Sequence, residues 1–383
     1  MHDREPSTLE HMSMLFSRAD TNGRRPPIVY VDLTHLGRHV TGIERVTIEQ
    51  FERIRFRGAD VRHVRARGLL GMIVAQQLLL PLLSLLYPRA VFVFPGFPPS
   101  PFFRHKAERV VLYVHDLFLL TRKQDLGRKA RLYMAWPFSV AVRGLKYFLV
   151  NSEKTRAELA PFVRPDASIT LYRPSAGNVF GVTDRGRAER PETPRPLKIL
   201  AVGTIEPRKN YAAAAAIVEH LAGVLPGGAE LNIIGRDGWG NSAAALRACP
   251  RVRLHGYLSA ADARRVVEDC DVYLCTSHDE GLGLPLLEVQ YAGLPVVAPD
   301  APVFREVLGQ SGTFIDTTRP ASAACSILAL ISKPGWRKAT SEAAKSNAIR
   351  WNGLAAGDRE CIARLFEKGL DGVSHSSSPP EAA

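Results

Sequence analysis

Two glutamates, Glu280 and Glu288, bracket the stretch EGLGLPLLE at residues 280–288. It follows a strand-like run, Asp271–Cys275, and leads into a helix expected from about Leu284 to Ala292. Glu280 then lies in a loop and Glu288 inside the helix, so both carboxylates can face one cleft at different depths. Gly281 and Gly283 leave N–H donors open beside the helix start, which suits an anion. Pro285 fits the first helical turn, where its missing N–H costs nothing. Leu286, Leu287 and Val289 surround Glu288, a poor setting for a solvated surface residue. A second stretch, GTIEPRKN at 203–210, also joins a strand to a helix. Gly203 lets the backbone approach a ligand closely, and Arg208 and Lys209 fall near the helix N-terminus. Backbone N–H groups, the helix dipole and two cations together suit a diphosphate. A solvated loop with an ordinary basic pair is the other reading of GTIEPRKN.

These stretches must be held by a framework, and the sequence supplies one. Short β-branched runs alternate with helical stretches, first at Ile28–Leu33, around Val61–Val64, and at Ala90–Phe94, Val110–His115 and Lys146–Asn151. Gly42–Arg57 has helical spacing of Ile43, Val46, Ile48 and Phe51. The alternation restarts at Leu197–Val202 and continues through Leu231–Gly235, Val252–Gly256, Asp271–Cys275, Pro295–Ala298 and Gly312–Asp316. Such alternation predicts parallel sheets with crossover helices, here two successive doubly wound α/β domains. Ligands of such sheets bind at the carboxyl ends of the strands, so a cleft between the domains is expected. The expected boundaries are a polar tail at 1–26, an N-terminal domain at 27–183 and a linker at 184–196. A C-terminal domain follows at 197–350, then a closing helix at 351–370 that crosses back to the first domain, and a tail at 371–383.

Composition narrows the class. Of 383 residues, 46% are hydrophobic and 23% charged, which supports globular cores and excludes a largely disordered or fibrous chain. The five cysteines are odd in number and lack metal-ligand spacing, so a reduced compartment is expected. The N-terminus is polar and lacks the pattern of a secretory signal, so a cytoplasmic location is expected. The net charge of +12 is unevenly placed: residues 1–180 hold 27 basic and 15 acidic residues, and the remainder is balanced. The basic half should meet an anionic partner: nucleic acid, a membrane surface or a phosphorylated substrate.

Gly68–Pro88 reads GLLGMIVAQQLLLPLLSLLYP and carries no charge over 21 residues. Its length suits a membrane span. Against a span stand Gln76 and Gln77 near its middle, Pro81, and flanking strands that belong in one sheet. A buried crossover helix is one reading of it; the second, and the one expected here, is a helix lying in the interface of an anionic membrane surface, which makes the protein peripheral on the inner face of the cell membrane. The second draws on Arg53, Arg55, Arg57, Arg62, Arg65 and Arg67 just before it.

Taken in order, these stretches resemble a family 4 retaining glycosyltransferase of the GT-B fold, in particular bacterial mannosyltransferases of polysaccharide assembly. The resemblance rests on Glu280 to Glu288 with its continuation AGLPVVAPDAPVFREVLG at 292–309, on GTIEPRKN, on VHDL at 114–117, on NSEKT at 151–155 and on TGIERVTIEQ at 41–50. It implies that Glu288 holds the ribose of a nucleotide sugar and that Glu280 contacts the transferred sugar. Backbone N–H groups of Leu282, Gly283 and Leu284 would meet sugar hydroxyls and diphosphate. Arg208 and Lys209, with Gly203 beside them, would neutralise the leaving diphosphate without a metal. Gly42 would sit in the loop after the first strand, facing phosphate and acceptor; the family often has two glycines where this chain has Thr41 and Gly42. His115 would face the reacting sugar, and Asp116 would orient it or the loop; a structural histidine is the other reading of His115.

Leaving-group departure puts negative charge on the diphosphate, which fixed cations and helix N-termini stabilise. A retaining reaction needs no dedicated nucleophile in this family. An inverting one would need a general base, for which Asp116 and His115 are the candidates. The resemblance implies a lipid-diphosphate-linked saccharide or another glycan as acceptor, GDP-mannose as the expected donor, and UDP-glucose or another UDP-sugar as the second. A sugar-nucleotide epimerase of the same fold fits GTIEPRKN and the glutamate pair less well. A nucleic-acid-binding role rests on the charge alone, without a base-reading module, so no nucleic-acid partner is expected.

Overall fold

The computed structural model describes residues 26–37, 42–52, 59–121, 131–182, 195–238, 240 and 242–371. It divides into two compact units, Met1–Pro174 with Leu354–Ala383, and Ser175–Gly353. The first unit thus ends before the boundary expected at 183. Ala176 and Val182 are apolar and bury themselves among Leu286, Leu287 and Trp351 of the second unit's core. The linker expected at 184–196, apart from Arg195 and Pro196, lies outside the described residues, as do the tails apart from Pro26 and Asp371.

In the first unit, strands β1 (Ile28–Asp32), β2 (Asp60–Val64), β3 (Val91–Phe94), β4 (Val110–Val114), β5 (Tyr147–Val150) and β6 (Ser168–Leu171) form one sheet, ordered β2-β1-β3-β4-β5-β6. Every neighbouring pair is parallel. All residues of β3, β4 and β5 are buried, as expected of parallel strands covered on both faces. Helix α1 (Gly42–Thr47) runs on into a wider turn, Ile48–Glu52, between β1 and β2. Helix α2 (Gly68–Leu86) connects β2 to β3. Pro81 does not break it: a five-residue π turn, Ala75–Leu79, precedes Pro81, so the missing N–H falls where the ladder is already rearranged. Helix α3 (Trp136–Gly144) leads into β5, and α4 (Glu153–Leu159) follows it. Ser152 starts α4 as its cap, accepting a bond from the Thr155 N–H at 3.1 Å.

The second unit repeats the plan with β7 (Leu197–Val202), β8 (Ala229–Ile234), β9 (Val252–Gly256), β10 (Val272–Leu274), β11 (Val296–Pro299) and β12 (Gly312–Ile315). Their order is β12-β11-β10-β7-β8-β9. Helix α5 (Tyr211–Val224) is alanine-rich and buries Tyr211, Ala214, Ile217, Val218 and Leu221, one helical stripe. Helix α6 is the single turn Leu284–Glu288. The strand order reverses between β1 and β3 in the first sheet and between β7 and β10 in the second. At such switch points the loops diverge and leave room for a ligand.

The closing helix expected at 351–370 is not a separate element. One helix, α7 (Trp336–Asp371), runs for 36 residues without a break. Ala344, Ala348, Trp351, Ala355 and Ile362 form one buried stripe along it, so no side chain interrupts the packing at 351.

Candidate active site

The switch point of the second unit gathers the residues of GTIEPRKN and the first glutamate of EGLGLPLLE. Beyond β7 the chain makes a short turn, Pro207–Lys209, and Asn210 adopts the left-handed conformation at φ 50°. Thr276, just past β10, fastens that turn by bonding the Lys209 and Asn210 carbonyls at 3.0 and 2.9 Å. The His278 N–H donates to the Arg208 carbonyl at 2.9 Å. The basic pair is thereby clamped against the loop that carries Glu280.

Both cations close on Glu280. Arg208 Nη1 lies 2.7 Å from Oε2 and Lys209 Nζ 2.5 Å from Oε1, and the Ser277 hydroxyl donates to Oε1 at 2.8 Å. Arg208 Nε also donates to Glu206 at 3.0 Å. Burial opposes ionisation of Glu280, but Lys209 and Arg208 outweigh it and hold the carboxyl at about 2. Burial alone would weaken the Arg208 charge, and Glu280 and Glu206 hold it in place. Lys209, Tyr211, Thr276, Ser277, Glu280, Gly283 and Pro285 line one pocket.

Glycines shape this pocket. A Cβ on Gly203 would meet the Lys209 side chain at 3.0 Å, so Gly203 packs flat beneath the cation. Gly283 turns at φ 84°, and a Cβ there would strike Leu286 at 2.5 Å. Leu284, with Pro285 behind it, opens α6 immediately after this turn, and Leu282 is buried just before it. Glu288 is buried, only 3% exposed, and is not among the residues that line the pocket. Sequence reasoning assigned no role to Glu206, Thr276 or Ser277. Glu206 stood inside GTIEPRKN and Ser277 lies just before Glu280, whereas the bonds from Thr276 reach Lys209 and Asn210, far away in the chain.

The first unit's switch point holds a second polar cluster. His115 follows β4, and its Nε2 donates to the Pro95 carbonyl at 2.8 Å, which leaves Nδ1 as the lone-pair nitrogen of a neutral ring. Burial pushes its pKa below the usual 6.5, against the raising effect of Pro95 and Asp116. Asn151, after β5, donates to the His115 carbonyl at 2.8 Å. Asp116 accepts the Phe118 N–H at 3.0 Å and so caps the short helix Phe118–Thr121. Gly42 opens α1, and Thr41 lies outside the described residues. Asp32, at the end of β1 and 1% exposed, was not foreseen as a site residue. It accepts bonds from the Thr34 N–H at 2.9 Å and from Gln76 of α2 at 3.0 Å. Burial raises its pKa and those bonds oppose the rise. The glutamine that argued against a membrane span is thus a buried donor at the end of β1.

Residues 183–347 match the family described as glycosyl transferases group 1. The chain is 24% identical over 291 residues to the O-antigen chain mannosyltransferase B of Escherichia coli, covering 70% of this chain and 75% of that one. Among solved structures it resembles WaaG, a glycosyltransferase involved in lipopolysaccharide biosynthesis, at TM-score 0.58 and 18% identity over 91% of this chain and 100% of that one. It also resembles Anabaena HepE in complex with UDP-glucose, at TM-score 0.61 and 15% identity over 91% and 100% of the two chains. These likenesses establish the GT-B fold. Residues 183–347 are a glycosyltransferase group 1 domain, and the chain that carries them is a glycosyltransferase.

Proposed function

We propose that the protein transfers mannose from GDP-mannose, with retention at the anomeric carbon, to a lipid-diphosphate-linked saccharide in bacterial surface polysaccharide synthesis. The observation that carries the donor side is the clamp of Arg208 and Lys209 on Glu280 beside Gly203 and Gly283. Two multidonor cations and the N–H groups of Leu282, Gly283 and Leu284 would receive the diphosphate as negative charge develops on it. Glu280, already ionised, would accept from a sugar hydroxyl, and Glu288 from the ribose. His115 and Asp116 would face the sugar and acceptor, with Gly42 in the loop that meets them. The mannose reading draws on the similarity to the E. coli mannosyltransferase. The polysaccharide reading draws also on the likeness to WaaG.

A second reading, a UDP-sugar donor such as UDP-glucose, is favoured by the fold shared with a protein bound to UDP-glucose. The deciding experiment offers the purified chain GDP- and UDP-sugars in turn and measures nucleotide release and thermal stabilisation. GDP-mannose should be turned over and should raise the melting temperature. A response to UDP-glucose alone selects the second reading, and no response to any nucleotide sugar overturns both. The proposed charge stabilisation is supplied by Arg208 and Lys209, so turnover should survive EDTA. Nucleotide sugars are made in the cytoplasm, where the enzyme is proposed to act.

A further inference from the structure

Helix α2 is built inside out for a surface crossover helix. Its inward face buries Met72, Ala75, Gln76, Leu80 and Ser84. Its outward face presents Leu70, Val74, Leu78, Leu82 and Leu85, and Leu70 is 75% exposed. A crossover helix ordinarily turns charged residues to solvent, yet no charged residue occurs from Gly68 to Pro88. The helix is strongly apolar, yet only about a third of it is buried. A second apolar group, Leu132, Tyr133 and Trp136, is exposed where the chain enters α3. Both elements cover the same side of the sheet: Ala75 and Leu80 of α2 and Phe138, Ala141 and Val142 of α3 share one core with Tyr30, Phe92 and Phe148. Exposed arginines frame the two groups, with Arg67 before α2, Arg89 after it and Arg131 beside Leu132.

We propose that the first unit docks on an anionic lipid bilayer through this side, with the outer face of α2 lying in the interface. The pattern matches that surface chemically. A leucine strip offers apolar area without a specific polar partner, Tyr and Trp suit the headgroup boundary, and framing arginines meet anionic headgroups. The whole charge surplus also falls within residues 1–180. Crossing the bilayer is excluded by the sheet itself. The strands on either side of α2, β2 and β3, both pair in parallel with β1, and Gln76 is bonded to Asp32 and Thr34 at 3.0 Å. The inference is independent of which donor is used.

The test is flotation of the full chain with vesicles of phosphatidylcholine alone or with added phosphatidylglycerol, at low and high salt. The wild type should float with anionic vesicles, and salt should weaken binding without abolishing it. The exposed-face variant Leu70→Glu/Leu78→Glu/Leu82→Glu should keep its melting temperature and lose partitioning on the order of a hundredfold. Arg67→Glu/Arg89→Glu should bind with less preference for anionic lipid. A wild type that stays soluble with anionic vesicles at low salt overturns the proposal. So does a concentration-dependent oligomer, abolished by the triple leucine variant, without vesicle binding. Alkali-resistant insertion would overturn the interfacial placement.

Discussion

Glu280 is the most heavily bonded carboxylate of the site, and its two cations are already balanced by Glu280 and Glu206. The diphosphate would therefore be met by additional N–H donors of a compensated cluster rather than by naked charge. Removing one partner of such a buried pair costs about 3–5 kcal/mol because the other charge is stranded. Glu280→Gln should accordingly lower stability as well as turnover, which urea unfolding and a rate assay would separate. Replacing Arg208 and Lys209 together by Ala should cut turnover by about 10²–10³. Full activity in that double variant would make them a structural pair. The Glu280 carboxyl sits at about 2 against an ordinary 4.5. Its stabilising effect is thus complete above about 4.5 and is lost as pH falls toward 2. The stability gap between wild type and Glu280→Gln should close over that interval. Glu288→Gln should leave the fold intact and weaken donor binding, since bonds to a charged acceptor are worth about 1.5–3 kcal/mol; calorimetry measures it. The clustering of Gly203, Arg208, Lys209 and Glu280 at one switch point was legible because each lies at a strand end. The contribution of Thr276 was not, because its partners Lys209 and Asn210 follow another strand and leave no local pattern; that of Ser277, three residues before Glu280, lay within one loop.

Among the elements, the strands that are buried on both faces announce themselves as unbroken apolar runs. Strand β6, Ser168–Leu171, escaped because it is an edge strand of only four residues, SITL, in which polar and apolar residues alternate and three are half-buried. Helix α7 runs unbroken through the unit boundary, so a boundary expected near 351 is not the start of a separate helix. Helix α2 was recognised by its apolar length, but the inward aim of Gln76 depends on the π turn that precedes Pro81. Gln76→Leu should strand Asp32 with fewer donors and cost about 1–3 kcal/mol. For a unit of this size that is roughly 2–4 °C of melting temperature per kcal/mol, readable by calorimetry. Gly283→Ala tests the other turn. At φ 84° with Leu286 in the way, it should destabilise α6 and raise the KM for donor together.

For the molecule as a whole, the charge asymmetry, the two sheets and a return to the first unit near residue 351 were readable from the chain, whereas the exit after Pro174, ahead of the boundary expected at 183, was not. The chain leaves the first unit after Pro174 and re-enters it at Leu354. On the first unit's side, Asp358 accepts bonds from the Arg173 N–H at 3.0 Å and from its guanidinium at 2.9 Å. On the second unit's side, the Asn352 side chain bonds the Ala176 N–H at 2.8 Å and its carbonyl at 3.1 Å. Each unit therefore has its two cut ends side by side. The second unit is an insertion with adjoining termini, an arrangement that tolerates excision and permutation. Residues 175–353 expressed alone should fold and retain nucleotide-sugar binding without turnover, as thermal shift and a rate assay would report. The first unit, closed by a short glycine-rich joint from Pro174 to Leu354, should fold as a sheet protein with no donor site. In evolutionary terms, such a seam would let the second unit be exchanged without rebuilding the first.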